Sequence, residues 1–81
     1  MKRVLITGIT GMVGSHLADY LYENTDWKIY GMCRWNDDYN NINHLMPEIN
    51  SKGRIELLYG DLNDLASLLY VVEKSKPDFV F

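Results

Sequence analysis

A β-branched strand that breaks into three spaced glycines constrains this chain more than any other feature. Residues 4–7 read Val-Leu-Ile-Thr, and Gly8, Gly11 and Gly14 follow at a spacing that turns a strand into a helix. Gly8 permits the tight turn, Gly11 lets the backbone come close to a ligand, and Gly14 lets the helix pack near the sheet. The pattern therefore predicts a strand, a glycine-rich loop and the first turn of a helix.

Such a loop places backbone N–H groups at the positive end of a helix dipole, where a phosphate is the natural ligand. Because a strand precedes the glycines and a helical pattern follows them, the loop is predicted to hold the pyrophosphate of a dinucleotide. The alternative is an ordinary glycine turn in an α/β unit that binds no nucleotide.

Composition limits the kinds of molecule that this 81-residue chain is expected to bind. Its net charge is -3 and its eight Lys and Arg residues are scattered, which argues against nucleic acid as a partner. No apolar run approaches the roughly 20 residues that span a bilayer. The start Met1-Lys2-Arg3 leads into a strand. These observations predict a cytoplasmic protein without a membrane partner, and the single Cys33 predicts neither a disulfide nor a metal site.

Strand and helix patterns alternate along the whole chain. Strands are expected over 3–7, 28–33, 54–59 and 78–81, helices over about 12–23 and 64–74, and a short helix within 42–49. The expected buried stripes are Met12, Val13, Leu17, Tyr20 and Leu21 in one long helix, and Leu65, Leu68, Leu69 and Val72 in the other. The alternation predicts an α/β fold, the first half of a Rossmann-like doubly wound parallel sheet in the order 3-2-1-4, with α/β/α layers in the full domain.

The residue after the second strand selects between the two nicotinamide dinucleotides in folds of this kind. An acidic residue accepts hydrogen bonds from ribose hydroxyls, whereas Arg34 offers a fork of donors to a 2′-phosphate. NADP is the predicted cofactor, with NAD as the second choice and a solvated Arg34 as the alternative. Trp35 either stacks on adenine or covers the sheet edge. Asp37 and Asp38 would oppose a phosphate if they turned inward, and both are expected to face water.

The turn after the third strand carries a second candidate contact. The carboxylate of Asp61 is placed to accept a proton from the adenine amino group, while Leu62 covers the ring. The alternative is that Asp61 or Asn63 only caps the following helix.

Together these motifs resemble the extended short-chain dehydrogenase/reductase family, and most closely its GDP-mannose 4,6-dehydratase branch. The resemblance spans the chain and is carried by residues 7–14, Arg34, 42–45 (Ile-Asn-His-Leu) and 59–62 (Tyr-Gly-Asp-Leu). It implies a nucleotide-sugar enzyme with bound NADP. The implied contacts are Gly8, Thr10, Gly11, Met12 and Val13 around the pyrophosphate, Arg34 at the 2′-phosphate, and Asp61 and Leu62 at the adenine. Gly14, Trp35 and Asn36 complete the candidate cofactor-binding residues.

Two positions depart from the pattern of that branch. The branch usually has a second arginine and then serines where this chain has Trp35-Asn36-Asp37, which leaves the 2′-phosphate pocket with less positive charge. It also usually has Gln-Asp where this chain has Met12-Val13, so contacts there are expected from the backbone.

The catalytic groups of the family have no counterpart here. They are a Ser or Thr, a Tyr-x-x-x-Lys pair and a Glu, all beyond the fourth strand, and Tyr70 and Lys74 match that spacing only as a helical i,i+4 pair. The chain is expected to be the N-terminal dinucleotide-binding part (1–81) of a larger enzyme, truncated after the fourth strand, with no catalytic residue of its own.

Two functions of different kinds follow. In one, the full protein is a homo-oligomeric NADP-dependent dehydratase that converts GDP-mannose to GDP-4-keto-6-deoxymannose by internal hydride transfer, or a related reductase or epimerase. The missing half would then bind the nucleotide sugar. In the other, the chain is a stand-alone dinucleotide-binding module without catalysis.

Overall fold

The computed structural model describes residues 1–81, which form a parallel four-stranded sheet with helices on both faces. The elements are β1 (Arg3–Thr7), α1 (Met12–Asn24), β2 (Lys28–Cys33), a 3₁₀ helix (Asn40–Leu45), α2 (Met46–Asn50), β3 (Ile55–Tyr59), α3 (Leu65–Ser75) and β4 (Phe79–Val80). The strand order is β3-β2-β1-β4, which confirms the predicted order 3-2-1-4. None of the helices has the length and apolar character needed to cross a membrane.

The register of the strands brings three loops to one edge of the sheet. Thr7 of β1 lies opposite Met32 of β2, and Cys33 at the end of β2 lies opposite Tyr59 at the end of β3. Because the strands are parallel, the glycine loop, the segment from Arg34 and the turn from Gly60 all leave the sheet at its carboxyl edge. This is the edge at which open α/β sheets bind ligands.

Successive residues of β1 face opposite sides of the sheet, and each side has its own core. Val4 and Ile6 pack in a cluster with residues of α1 and the 3₁₀ helix. Leu5 packs with Tyr30, Met32, Leu58 and Val71, the last of which lies on α3. Helices cover both faces, and this explains why β1 is apolar on both sides.

The buried face of α1 differs from the predicted stripe. Met12, Val13 and Tyr20 are 71%, 83% and 63% exposed. Leu21 is buried as predicted and Leu17 is half-buried against the core, but the other buried residues of the helix are Ser15 and Ala18. The start of the helix lies so close to the glycine loop that small side chains, rather than the most apolar ones, fill the contact.

The predicted stripe of α3 is also largely wrong. Val71 and Ser75 are its buried residues, Leu68 is partly buried, and Leu65 and Leu69 are 70% and 61% exposed. This helix is the only one on its face of the sheet. Its two flanks therefore have no neighbour to cover them, and only the strip that touches the sheet is buried.

A carboxylate on α2 joins this helix to α1 and to the residue before β3. Glu48 accepts hydrogen bonds from the Tyr22 hydroxyl at 2.6 Å and from the backbone N–H of Arg54 at 2.5 Å. The Arg54 guanidinium donates in turn to the carbonyl of Tyr22 at 2.9 Å. The hydrogen bond from Tyr22, followed by the one from Arg54, holds the pKa of Glu48 below its ordinary value. The network fixes the start of β3 against α1.

Candidate functional site

The three glycines of the loop differ in how strictly the fold requires them. Gly8 has φ +73°, a backbone conformation that side chains other than glycine rarely adopt, although the space beside it is open. A Cβ on Gly14 would lie 2.3 Å from the carbonyl oxygen of Gly8, so only glycine allows α1 to pack there. Gly11 has φ -77° and its Cβ would lie at an ordinary 3.4 Å from the same oxygen. The fold itself therefore does not require glycine at position 11.

The N-terminus of α1 carries unpaired donors. Gly11 is its N-cap and supplies no side-chain hydrogen bond. The helical ladder begins with the N–H of Ser15, which donates to the carbonyl of Gly11 at 2.9 Å. The N–H groups of Met12, Val13 and Gly14 therefore have no intrahelical acceptor, and the helix dipole adds positive potential to theirs. Since the side chains of Met12 and Val13 project into solvent, only their backbone is available to an anion at the loop.

Two adjoining clefts open at the carboxyl edge of the sheet. The first, of about 370 Å³, is lined by the glycine loop and by the ends of β2 and β3; its predicted residues are Gly8, Thr10, Gly11, Arg34, Asp61 and Leu62. The second, of about 450 Å³, contains the predicted residues Arg34, Trp35, Asn36 and Asp61. Met12, Val13 and Gly14 line neither cleft. Arg34, Gly60 and Asp61 border both clefts, so the two are halves of one groove.

Arg34 and Trp35 reach into this groove from the end of β2. The Arg34 side chain is 63% exposed, and its Nε donates to Oδ1 of Asp37 at 3.2 Å. Its two terminal nitrogens donate no hydrogen bond within the protein. Trp35 is 85% exposed and is thus too far out to cover the sheet edge, which leaves its indole face open to a ligand.

The expectation that Asp37 faces water is wrong. Its side chain is only 14% exposed, and Oδ2 accepts hydrogen bonds from the Thr10 hydroxyl at 3.0 Å and the Arg34 N–H at 2.9 Å. A turn closed by the N–H of Asp37 and the carbonyl of Arg34, at 3.0 Å, brings the carboxylate back over the glycine loop. The hydrogen bond from the Arg34 backbone is the main reason why the pKa of Asp37 lies below its ordinary value. Asp38 is exposed, as predicted, and accepts from Asn40 N at 2.8 Å.

Asp61 does not cap α3. The N-cap is Asp64, whose carboxylate accepts the N–H of Ala66 at 3.1 Å. Oδ1 of Asp61 instead accepts the N–H of Asn63 at 2.9 Å within the turn. Because this uses only one of the two carboxylate oxygens, the other is available to a ligand in the groove. Leu62, 65% exposed, lies beside it on the wall of the first cleft.

Sequence reasoning missed several groove residues. Asp37 lines the first cleft, and Tyr59 and Ser67 line the second. Tyr59 is the last residue of β3, and that position at the carboxyl edge is the signal that could have identified it. Its hydroxyl accepts from Tyr39 at 3.3 Å. Cys33 is buried behind these tyrosines, and burial raises the pKa of its thiol, so it behaves as the small buried side chain that its strand position predicts.

Tyr70 and Lys74 lie on α3 and line neither cleft. They form part of an open surface with Glu73 and Lys76. No group of three His, Cys, Asp or Glu side chains is placed to hold a metal ion.

The parallel sheet, its strand order and its glycine loop define a Rossmann-like fold of the epimerase/dehydratase class of short-chain dehydrogenases/reductases. The model of one family, GDP-mannose 4,6 dehydratase, matches residues 5–81. The chain belongs to the GDP-mannose 4,6-dehydratase family. GDP-mannose 4,6 dehydratases of Drosophila melanogaster and Homo sapiens are 38% and 37% identical to it, over 99% and 95% of the chain. The chain spans 21% and 22% of the length of these relatives.

Solved structures share the fold. PbgP3 from Burkholderia pseudomallei is 29% identical with a TM-score of 0.75, and the match covers 98% of this chain and 21% of that protein. WbmH from Bordetella bronchiseptica, solved in complex with NAD+, is 28% identical with a TM-score of 0.65 over 99% of this chain and 24% of its own. UDP-glucuronic acid 4-epimerase from Bacillus cereus, solved with NAD, is 29% identical with a TM-score of 0.66. The match covers 100% of this chain and 25% of that protein.

Proposed function

We propose that this chain is the N-terminal, cofactor-binding part of an NADP-dependent nucleotide-sugar 4,6-dehydratase that acts on GDP-mannose. The observation that carries the proposal is the groove at the carboxyl edge of the sheet, where the glycine loop, Arg34 and Asp61 line one continuous depression. Its two clefts, of about 370 and 450 Å³, have the size of nucleotide sites.

The residues of the groove fit a dinucleotide. The space beside the Gly11 Cα is not filled by other parts of the protein, so a ligand can approach the backbone there. The unpaired N–H groups at the start of α1 suit a pyrophosphate. The contacts proposed for this group are Gly8, Thr10, Gly11, Met12, Val13 and Gly14, with Met12 and Val13 acting through their backbone. A dinucleotide held there would supply the hydride-accepting and hydride-donating chemistry of the proposed dehydration.

The adenosine end would lie on the other side of Arg34. The terminal nitrogens of Arg34 are free for a 2′-phosphate, beside Asn36, and the exposed Trp35 is available to stack on adenine. Asp61 would accept a hydrogen bond from the adenine amino group, with Leu62 against the ring. These assignments favour NADP, and the two neighbours solved with NAD keep NAD as the second choice.

The substrate and the chemistry are proposed from the relatives, because the chain spans only about a fifth of their length. The Ser or Thr, the Tyr-x-x-x-Lys pair and the Glu of the reaction would lie outside residues 1–81, together with the sugar site. The full enzyme is proposed to be a cytoplasmic homo-oligomer. Tyr70 and Lys74 take no part in the proposed reaction, since neither borders the groove.

The test is turnover by the full-length protein with GDP-mannose and NADP. A product that is lighter by one water, formed without net consumption of NADP, is the expected result. A product of unchanged mass would show a related epimerase, and net oxidation or reduction of the cofactor would show a reductase. Tight binding of NADP with no turnover of any nucleotide sugar would favour the stand-alone binding module.

Arg34→Asp tests the cofactor assignment separately from turnover. Charge-assisted hydrogen bonds contribute about 1.5–3 kcal/mol each, so the substitution should weaken NADP about tenfold to a hundredfold and leave NAD nearly unchanged. Calorimetric titration of both dinucleotides against both proteins provides the measurement. An equal loss for NAD and NADP would contradict the role given to Arg34.

A further inference from the structure

The carboxylate of Asp37 lies beside the Arg34 guanidinium, the group to which the 2′-phosphate is assigned. It borders the first cleft together with Thr10, Gly11 and Arg34. Its oxygens are occupied by Thr10 Oγ1 at 3.0 Å, Arg34 N at 2.9 Å and Arg34 Nε at 3.2 Å. A hydrogen-bonded carboxylate beside a guanidinium stays ionised at neutral pH.

The charge balance of the groove is consequently unfavourable for a dianion. Arg34 is the only lysine or arginine among the residues that line the two clefts, whereas Asp37, Asp61 and Asp64 are all among them. Within this set, the one positive charge is already paired with the carboxylate of Asp37. A phosphate on the ribose must share the Arg34 guanidinium with Asp37, whereas ribose hydroxyls bring no charge and can donate to a carboxylate.

Asp37 is not needed to hold the glycine loop in place. The carbonyl of Thr10 accepts a hydrogen bond from the Asn41 side chain at 2.9 Å, independently of Asp37. The carbonyl of Met32 accepts the N–H groups of Gly8 and Ile9 at 3.0 and 3.3 Å. The loop is thus anchored at two other points, and the main effect of the Asp37 carboxylate on a ligand is its charge.

We propose that Asp37 is a specificity-determining residue that opposes the 2′-phosphate and so limits the preference of the protein for NADP over NAD to about tenfold or less. The inference rests on the proposed function, because it requires the groove to bind a nicotinamide dinucleotide. Two anions that share one guanidinium lie about 6 Å apart, and a carboxylate at that distance weakens the binding of a dianion about five- to tenfold even at the dielectric constant of water.

The experiment measures the dissociation constants of NAD and NADP by calorimetry with the full-length protein and its variants. Asp37→Asn keeps the shape and one acceptor oxygen for Arg34 N but removes the charge. Asp37→Ser keeps a smaller acceptor, and it decides the question if the asparagine variant does not fold. Asp38→Asn is the matched control, because it removes the same charge one residue further on, from a side chain that bonds only Asn40.

The unsubstituted protein is expected to bind the two dinucleotides within about tenfold of each other. Both Asp37 variants should tighten NADP about five- to tenfold and leave NAD unchanged or slightly weaker. The Asp38 variant should change neither constant by more than about twofold, because an exposed carboxylate is screened by solvent.

Three results would overturn the inference. One is an unchanged or weaker affinity for NADP in the Asp37 variants, which would make Asp37 a support for Arg34. Another is an equal gain from Asp38→Asn, which would make the effect one of total charge. If the unsubstituted protein binds neither dinucleotide, the proposed function fails as well, whereas the first two results leave that function intact.

Discussion

Substitution of Gly11 by valine tests whether glycine is needed at this position for ligand binding or for folding. The backbone at Gly11 is extended, φ -77° and ψ 171°, and a Cβ there meets only the Gly8 carbonyl at 3.4 Å. Replacing glycine lowers the entropy of the unfolded chain, which stabilises by about 0.4–1 kcal/mol, while valine is the poorer N-cap by a similar amount. The two effects offset, so the free energy of unfolding should change by less than about 1 kcal/mol.

Binding should respond very differently. The valine side chain would occupy the approach to the unpaired N–H groups at the start of α1. Each hydrogen bond to a charged phosphate oxygen contributes about 1.5–3 kcal/mol, and loss of two of them weakens binding at least a hundredfold. Calorimetric titration with NADP and NAD, together with a thermal melt of the ligand-free full-length protein, measures both quantities on the same samples.

Gly14→Ala is the matched control within the same loop. Its Cβ would lie 2.3 Å from the Gly8 carbonyl oxygen, a backbone atom that cannot move aside cheaply. Overpacking costs about 1–3 kcal/mol, and the better helix propensity of alanine returns about 1 kcal/mol, so a net loss of stability of up to about 2 kcal/mol is expected. Normal binding of either dinucleotide by Gly11→Val, or unfolding of this variant while Gly14→Ala stays folded, would refute the role given to Gly11.

Three further outcomes are expected. Glu48→Gln should destabilise the protein at neutral pH. Because the Tyr22 and Arg54 hydrogen bonds lower the pKa of Glu48, the difference in stability between the two proteins should shrink as the pH falls below about 4.5. Denaturant titrations at several pH values that show a constant difference would contradict this expectation. Trp35→Ala should weaken both dinucleotides about fivefold to a hundredfold through lost stacking, and quenching of indole fluorescence on titration reports the contact. The 81-residue chain expressed by itself should associate or melt without a sharp transition, because Leu65, Leu69 and the β4 edge are exposed; a monomer with a sharp melt in analytical ultracentrifugation and calorimetry would show that the half-sheet is self-sufficient.

Much of the fold was predictable because its signals are local. The glycine spacing, the β-branched runs and the alternation of strand and helix patterns each depend on a few neighbouring residues. They correctly predicted β1 and β2 at Arg3–Thr7 and Lys28–Cys33, and the strand order β3-β2-β1-β4. The order follows from general rules for crossover connections and needs no knowledge of side-chain contacts.

Which face of each helix is buried depends on packing and could not be predicted from apolar periodicity. Apolar periodicity favoured Met12 and Val13, but the close approach of α1 to the loop at Gly14 selects Ser15 and Ala18 for the contact instead. Hydropathy measures how much a side chain gains from burial, and it carries no information on the distance between two backbones. The same limit explains the exposed leucines of α3.

The groove shows most clearly which features could be predicted from the sequence and which depend on the folded chain. Which loops meet was predictable from the order of the residues, because the carboxyl ends of parallel strands share one edge. The position of Arg34 at the end of β2 was predictable in the same way. The inward turn of Asp37 became visible only in the folded chain, since it depends on a turn that closes between Arg34 and Asp37 and on a hydroxyl of Thr10 that lies 27 residues away in sequence. A carboxylate can be buried only where hydrogen-bond donors contact it, and these donors come together only when the chain has folded.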